Sequence, residues 1–307
     1  MGVDTCEGVD TFEVIATGPQ TLIQDRGRAG FASVGVCASG SFDRLSAARA
    51  NHAVGNDPDC AVLEVLMGGL ELRALRSAML IVTGVACSVT VLPSSGQPTR
   101  RLFSNRVVDV AEGDCINIGM FSAGMRGYVG VRGGVRAAKV LGSCSTDVMS
   151  GLGPAPLTQG DVLAVGVAES GWHPALRELT PLWRAGQRVV ELEVIMGPRD
   201  GWFRDPAALC SQTFTVGSDS NRVGVRLAAA HPLERVVDQE LASEGTVRGA
   251  IQVPPNGHPV IFGPDHPVTG GYPVIGVLSG RSSDRCAQLA PGDLVRFRRR
   301  QVQNFTK

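Results

Sequence analysis

The sequence predicts a mainly β protein with a few short helices, and three observations carry that expectation. Glycine is abundant, 39 of 307 residues, without a Gly-X-Y period, as suits many tight turns between short strands. Short runs rich in Val, Ile and Leu lie between glycines and prolines at Thr11–Thr17, Met79–Thr83, Cys87–Leu92, Arg106–Val110, Arg126–Val131, Val189–Ile195, Pro259–Phe262 and Leu294–Arg298, the pattern of strands bounded by turns. A Gly-Asp pair also opens an apolar strand three times, at Gly113-Asp114, Gly160-Asp161 and Gly292-Asp293. In such a turn glycine supplies a positive φ and aspartate bonds nearby backbone, so these acids need no catalytic role.

Two helices punctuate the strands. The first is expected over Phe42–Val54, with Ser41 as N-cap, Asp43 in the first turn and Gly55 as the left-handed stop. The second is expected over Pro206–Ser211, capped by Asp205, with proline at the first helical position. A shift to Pro and Trp with weak periodicity marks 171–188 as a linker between an N-terminal β domain, 1–170, and a smaller C-terminal one, 189–307.

Composition excludes several classes of function. Hydrophobic residues are 43% and charged residues 19%, the balance of a folded chain. Acids and bases number 29 each, so no net positive field draws phosphate backbones or anionic lipid, and neither nucleic acid nor membrane is an expected partner. Lysine occurs only at Lys139 and Lys307, which argues against a Schiff-base enzyme and a Walker-type phosphate loop. The eight cysteines contain no Cys-x-x-Cys pair and the five histidines are scattered, so no metal site is expected. The N-terminus lacks a basic segment followed by an apolar run, and the most apolar stretch, Ala78–Leu92, falls short of a spanning helix. A cytoplasmic protein is the expectation.

Three clusters join glycine to polar groups. Gln24-Asp25-Arg26-Gly27-Arg28 continues through Ser39-Gly40-Ser41-Phe42-Asp43; it could hold a carboxylate or amide substrate, while a surface turn with an internal Asp–Arg pair fits the same spacing. Asn221-Arg222-Val223-Gly224-Val225-Arg226 sets two arginines four apart. On an extended segment they share a face and suit a carboxylate or phosphate; a salt-bridged strand edge is the alternative. Gln252 precedes the turn Pro254-Pro255-Asn256-Gly257, and Thr269-Gly270-Gly271-Tyr272-Pro273 forms a loop open to a ligand. The Tyr272 hydroxyl and glycine amides could meet a carbonyl or developing oxyanion; a tyrosine that satisfies only a loop carbonyl is the other reading.

These clusters, in this order, resemble the biotin-dependent carboxyltransferase A/B family, which includes the C subunit of 5-oxoprolinase and proteins named allophanate hydrolase subunit 2. The resemblance also rests on Ala50-Asn51, Leu63-Glu64, Thr83-Gly84, Gly133-Gly134-Val135, Leu141-Gly142-Ser143, Gly197-Pro198 and Gly249-Ala250-Ile251-Gln252-Val253-Pro254. It implies two cyclophilin-like β-barrel domains, carboxyltransferase subdomain A-like and B-like. It further implies a smaller companion of related fold, like the 5-oxoprolinase B subunit or allophanate hydrolase subunit 1, and a third partner like the 5-oxoprolinase A subunit. Together they would open the lactam of 5-oxo-L-proline to L-glutamate with ATP, handled largely outside this chain. Where family members often carry Gly-Arg, this chain has Gly153-Pro154-Ala155-Pro156-Leu157, so a contact from that loop is not carried over.

The site expected from this resemblance has Asp25 and Tyr272 as catalytic residues, Asp25 being the general-base candidate. Gln24, Arg28, Ser39, Gly40, Asp43, Arg222, Arg226, Gln252, Thr269, Gly270 and Gly271 would bind substrate, with no metal. Two other readings keep the fold. One is a carboxyltransferase half acting on urea or a related amide, with biotin on a separate carrier because no Ala-Met-Lys-Met stretch occurs here. The other is a non-enzymatic regulator of a sensor kinase.

Overall fold

A computed structural model describes residues 8–168, 177–182, 189–237 and 239–300. Most of the expected linker, 171–176 and 183–188, lies outside these residues. The chain is mainly β, 38% strand and 11% helix, and groups into two compact units. The first contains Met1–Arg28, Ser39–Asp147 and Gly151–Ala185; the second contains Gly186–Lys307 together with Ala29–Ala38 and Val148–Ser150.

The first unit is built from two sheets around one core. A seven-stranded sheet runs in spatial order Val135–Arg136, Val162–Val165, Val9–Thr17, Leu70–Ala74, Cys115–Ile118, Ser88–Leu92, Arg100–Phe103. A five-stranded sheet runs Gln20–Gln24, Val62–Leu66, Arg126–Val131, Ala78–Thr83, Val108–Val110. Phe12, Leu72, Val89 and Ile116 of the first sheet share a buried cluster with Leu63, Leu80, Val82 and Val129 of the second. The five-stranded sheet is covered on its other face as well. Helix α1, Arg44–Ala53, lays Ala47, Ala50 and Ala53 against Val62, Ile81 and Tyr128. Covering both faces explains why all six residues of Arg126–Val131 are buried and why the strand reads as a continuous run rather than an alternation. Gly130 permits the close approach, since a Cβ there would lie 2.8 Å from Ala50 backbone.

The cap of α1 differs from the expectation. Asp43, not Ser41, is the N-cap; its carboxylate accepts from Ser46 N–H at 3.0 Å and from Ser46 Oγ at 2.7 Å. An aspartate so placed satisfies one of the four free N–H groups of the first turn. Gly55 takes φ 73° just beyond the C-cap, Val54, as expected. The second helix is shorter than expected, α2, Ala208–Ser211, and a third, α3, Gly280–Arg285, has no counterpart in the sequence reading.

The second unit is a closed seven-stranded barrel: Val189–Met196, Val274–Leu278, Ala250–Gln252, Val260–Phe262, Gly224–Ala229, Thr213–Val216, Leu294–Arg299. Parallel pairing of Val189–Met196 with Leu294–Arg299 closes the ring and leaves no free edge. Alternation puts Val190, Leu192, Val194, Val295 and Phe297 inside and the intervening charged residues outside. Phe214 and Phe297 meet edge to face at 5.4 Å in this core.

The three Gly-Asp turns are one device used three times. Gly113, Gly160 and Gly292 have φ of 85°, 90° and 89°. The aspartate carboxylates accept from the N–H three residues back, on Ala111 at 3.0 Å, Thr158 at 2.7 Å and Ala290 at 2.8 Å. In each, the glycine N–H donates to a neighbouring-strand residue, Ala74, Val14 or Val216, whose own N–H donates back to the aspartate carbonyl. The carboxylates therefore serve the turns.

Candidate functional site

In the first unit, the expected binding residues converge on one stretch of chain, 143–146. The Asp25 carboxylate accepts four hydrogen bonds: Gly27 N–H at 2.7 Å, Ser143 Oγ at 2.6 Å and Ser145 Oγ at 2.6 Å on Oδ1, and Cys144 N–H at 2.7 Å on Oδ2. Gln24 Nε2 donates to Thr146 O at 2.8 Å, and Ser39 Oγ donates to the same carbonyl at 3.2 Å. Arg28 donates through Nε to Val140 O at 3.3 Å and through Nη2 to Ser145 O. Gln24, Arg28 and Ser39 are all buried. The expected pairing of Asp25 with its flanking arginines is replaced: Arg26 pairs with Asp59 at 2.8 Å and Arg28 takes backbone carbonyls. Buried carbonyls need donors, and Arg28 supplies two while holding a charge inside.

The local backbone explains why these side chains point inward. Gln24 ends the strand Gln20–Gln24, and the chain then turns through Gly27 at φ 90°. Ser39 sits at φ 53° and Gly40 at φ 88°, where a Cβ would lie 2.7 Å from Arg26 O; only glycine tolerates that approach. Among the described residues, Gln24 Oε1 and Arg28 Nη1 are buried without a hydrogen-bond partner. One acceptor and one donor are thus left over from the clamp. Beside it lies a cavity of about 390 Å³ lined by Asp25, Arg26, Asp57, Asp59, Arg136 and Lys139 among others. Arg136 and the two outer aspartates escaped the sequence reading because nothing in their spacing brings them to Asp25.

Asp43 stands apart from this cavity in a buried polar network. Its backbone N–H donates to Tyr128 Oη at 2.6 Å, Tyr128 donates to Glu64 at 3.0 Å, and Glu64 also accepts from Phe42 N–H at 2.8 Å. Arg126 approaches Glu64 at 3.7 Å and covers the Phe42 ring at 4.9 Å. Burial, with the Glu64 and Asp43 charges next, holds the Tyr128 hydroxyl well above the usual tyrosine range. The network fixes the entry to α1, and Asp43 is committed to it as a cap.

In the second unit the two arginines part company. Arg222 lies in the turn before strand Gly224–Ala229, where strand parity does not apply, and is buried against Asp265 through Nε at 2.8 Å and Nη2 at 2.9 Å. Asp265 Oδ2 also accepts from Val148 N–H at 3.1 Å, tying the 148–150 segment to the barrel. Arg226 points outward and pairs with Asp219 at 2.8 Å, both exposed. The expected common face does not form, and neither does a strand edge: Gly224–Ala229 is paired on both sides, and Arg226 makes its salt bridge on the outer face of the barrel.

The third cluster does assemble. Gln252, buried, donates from Nε2 to Tyr272 O at 3.1 Å, and a Cβ on Gly270 would lie 2.7 Å from that amide nitrogen. Thr269–Gly270 pairs with Glu244–Gly245, and Glu244 is gripped by Arg199. That pairing pushes the Arg199 guanidinium up and the Glu244 carboxyl down from their ordinary values. Gly271 and Tyr272, the latter 45% exposed, border a cavity of about 870 Å³ shared with Arg235, Glu240, Leu241 and Asn256. Both Arg199 and Arg235 lie over the Trp202 ring, at 5.9 and 5.8 Å from its centroid. A phenol, an amide and a guanidinium on one rim can bind a carbonyl or carboxylate. Asn256 lay in the predicted Pro-Pro-Asn-Gly turn; Arg235 had no sequence signal.

This architecture is that of the carboxyltransferase-domain class of β proteins. The solved structure of Kluyveromyces lactis urea amidolyase matches with a TM-score of 0.82 at 26% identity, over 96% of this chain and 19% of that one. Residues 34–299 match the family described as the carboxyltransferase domain, subdomain A and B, and the chain belongs to that family. It is 32% identical over 295 residues to the 5-oxoprolinase C subunit of Escherichia coli, covering 93% of this chain and 90% of that protein. It is 28% identical to urea amidolyase of Lachancea kluyveri, covering 93% of this chain but 17% of that protein. No helix among the described residues is long and apolar enough to cross a membrane.

Proposed function

We propose that this chain is one component of an assembly that hydrolyses the lactam of 5-oxo-L-proline to L-glutamate at the expense of ATP. The observation that carries this reading is the likeness to the 5-oxoprolinase C subunit over 90% of that protein's length. An unactivated lactam resists water; phosphorylation of its oxygen by ATP makes the ring carbon open to attack, and cleavage of the C–N bond with release of phosphate yields glutamate. Tyr272, on the rim of the larger cavity with Gly271, would donate to the substrate oxygen, with Gln252, Thr269 and Gly270 shaping its loop. Asp25, with four donors on its carboxylate, serves this reading as the anchor of 143–145 rather than as the general base. Asp43 and Arg222 serve it as structural groups, the one capping α1 through Ser46 and the other paired with Asp265. A smaller companion of related fold and a third subunit would complete the assembly.

The test is coexpression with those two partners and an assay for glutamate and ADP from 5-oxoproline and ATP. Coupled formation of both, lost when this chain is omitted, supports the reading; a stable assembly that forms neither removes it. The carboxyltransferase reading is favoured by the TM-score of 0.82 to a urea amidolyase. It requires instead that the assembly carboxylate urea or a related amide from a carboxybiotin carrier.

A further inference from the structure

We propose that the outer wall of the closed barrel carries a second binding site, for the phosphate chain of a small molecule. A groove of about 480 Å³ is lined there by Arg281, Arg285, Arg298 and Arg300, with Glu191 and Glu193 on the adjoining strand. Strand alternation puts Arg298 on the solvent side of Leu294–Arg299 while Val295 and Phe297 fill the barrel. Arg285 donates from Nη1 to Glu191 O at 2.9 Å. Arg281, Arg298 and Arg300 make no ion pair among the described residues, although Glu193 stands in register with Arg298.

Glu191 and Glu193 offset only part of this charge. The two acids nearest in sequence are already engaged, Asp284 by Arg248 at 2.9 Å and Asp293 by its own turn. Four guanidinium groups against two carboxylates leave the groove positive in a chain whose net charge is zero. Guanidinium forks match phosphate oxygens in pairs, and the volume lies within the roughly 300–1,000 Å³ of small-molecule sites. The excess charge asks for an anion with more than one phosphoryl group. The inference stands on the charge and shape of this groove and holds whichever reaction the assembly performs.

Isothermal titration of the full chain with tripolyphosphate, with ATP and with a hexaglutamate peptide tests it. Tripolyphosphate and ATP should bind, more weakly at higher salt, and the Arg298→Ala/Arg300→Ala variant should bind at least tenfold more weakly. Arg281→Ala, at an independent exposed position, should weaken binding in the same direction. Arg101→Ala, an exposed arginine of the first unit, should bind as the parent does. ATP binding tighter than tripolyphosphate would add recognition of the nucleoside. The proposal is overturned by absent binding at millimolar ligand, by affinity unchanged in the groove variants, by an equal loss in Arg101→Ala, or by tighter binding of the peptide than of tripolyphosphate.

Discussion

Arg222 grips both carboxylate oxygens of Asp265, at 2.8 and 2.9 Å, with both side chains buried in the barrel unit. The pair extends the ladder in which Gly224 faces Phe262, and Asp265 N–H returns a hydrogen bond to Arg222 O. A buried pair of this kind contributes little over a well-packed apolar pair, yet losing one partner leaves a bare charge.

Arg222→Met should therefore destabilise the protein by about 3–5 kcal/mol, and Arg222→Met combined with Asp265→Leu should recover part of that loss. Denaturant unfolding of the three proteins measures it. A single variant within about 1 kcal/mol of the parent would show that the pair does not hold the unit.

Asp25→Asn should cost about 1–3 kcal/mol, because an amide NH₂ then faces at least one of the four donors on that carboxylate. Turnover of the reconstituted assembly, measured well below the lowered Tm, should stay close to the parent's. A drop of about a hundredfold with an unchanged Tm would return Asp25 to the role of general base.

Gly153→Ala should destabilise more than Gly142→Ala. Both positions have positive φ, 89° and 81°, so each variant carries the left-handed penalty of roughly 1 kcal/mol. A Cβ at 153 would also collide with Ser145 O, on the stretch that Arg28 clamps, whereas one at 142 meets nothing within 4 Å. Equal shifts in Tm would contradict this placement.

Cys87 and Cys286 should resist alkylation in the native protein at pH 8. Burial pushes both thiols up to about 12, and the thiolate is the reactive form. The same shift makes stability depend on pH. The unfolded thiols ionise near their ordinary value of 9.0 while the folded ones stay protonated. Their contribution is thus complete below about pH 9 and is lost between there and about pH 12, at roughly 1 kcal/mol per pH unit for each group. Mass mapping of alkylated cysteines and unfolding at pH 8 and 10 check both statements; fast labelling of Cys286 in the folded chain would refute the first.

Local pattern carried much of the fold. The run Leu294-Val295-Arg296-Phe297-Arg298 alternates as a barrel strand must, and the structure extends it by one residue to Leu294–Arg299. The Gly-Asp turns were legible because a positive φ and a short carboxylate are requirements of the turn itself. α1 was found near its true position, but Ser41 and Asp43 are both good caps. The choice fell to Asp43 because its N–H is fixed by Tyr128, 85 residues away.

The sequence alone determined what depends on neighbouring residues: strand periodicity, turn chemistry, helix stops, and the absence of lysine and paired cysteines where known catalytic motifs need them. Only the tertiary structure decided which polar side chains are spent on the chain itself. Asp25 meets Ser143 and Ser145 across 118 and 120 residues, and Arg222 meets Asp265 across 43. A carboxylate or guanidinium looks the same in sequence whether it awaits a ligand or satisfies buried backbone. The difference is set by desolvation: once inside, such a group must take the partners that folding brings within about 3 Å, and sheet pairing, not sequence spacing, selects them.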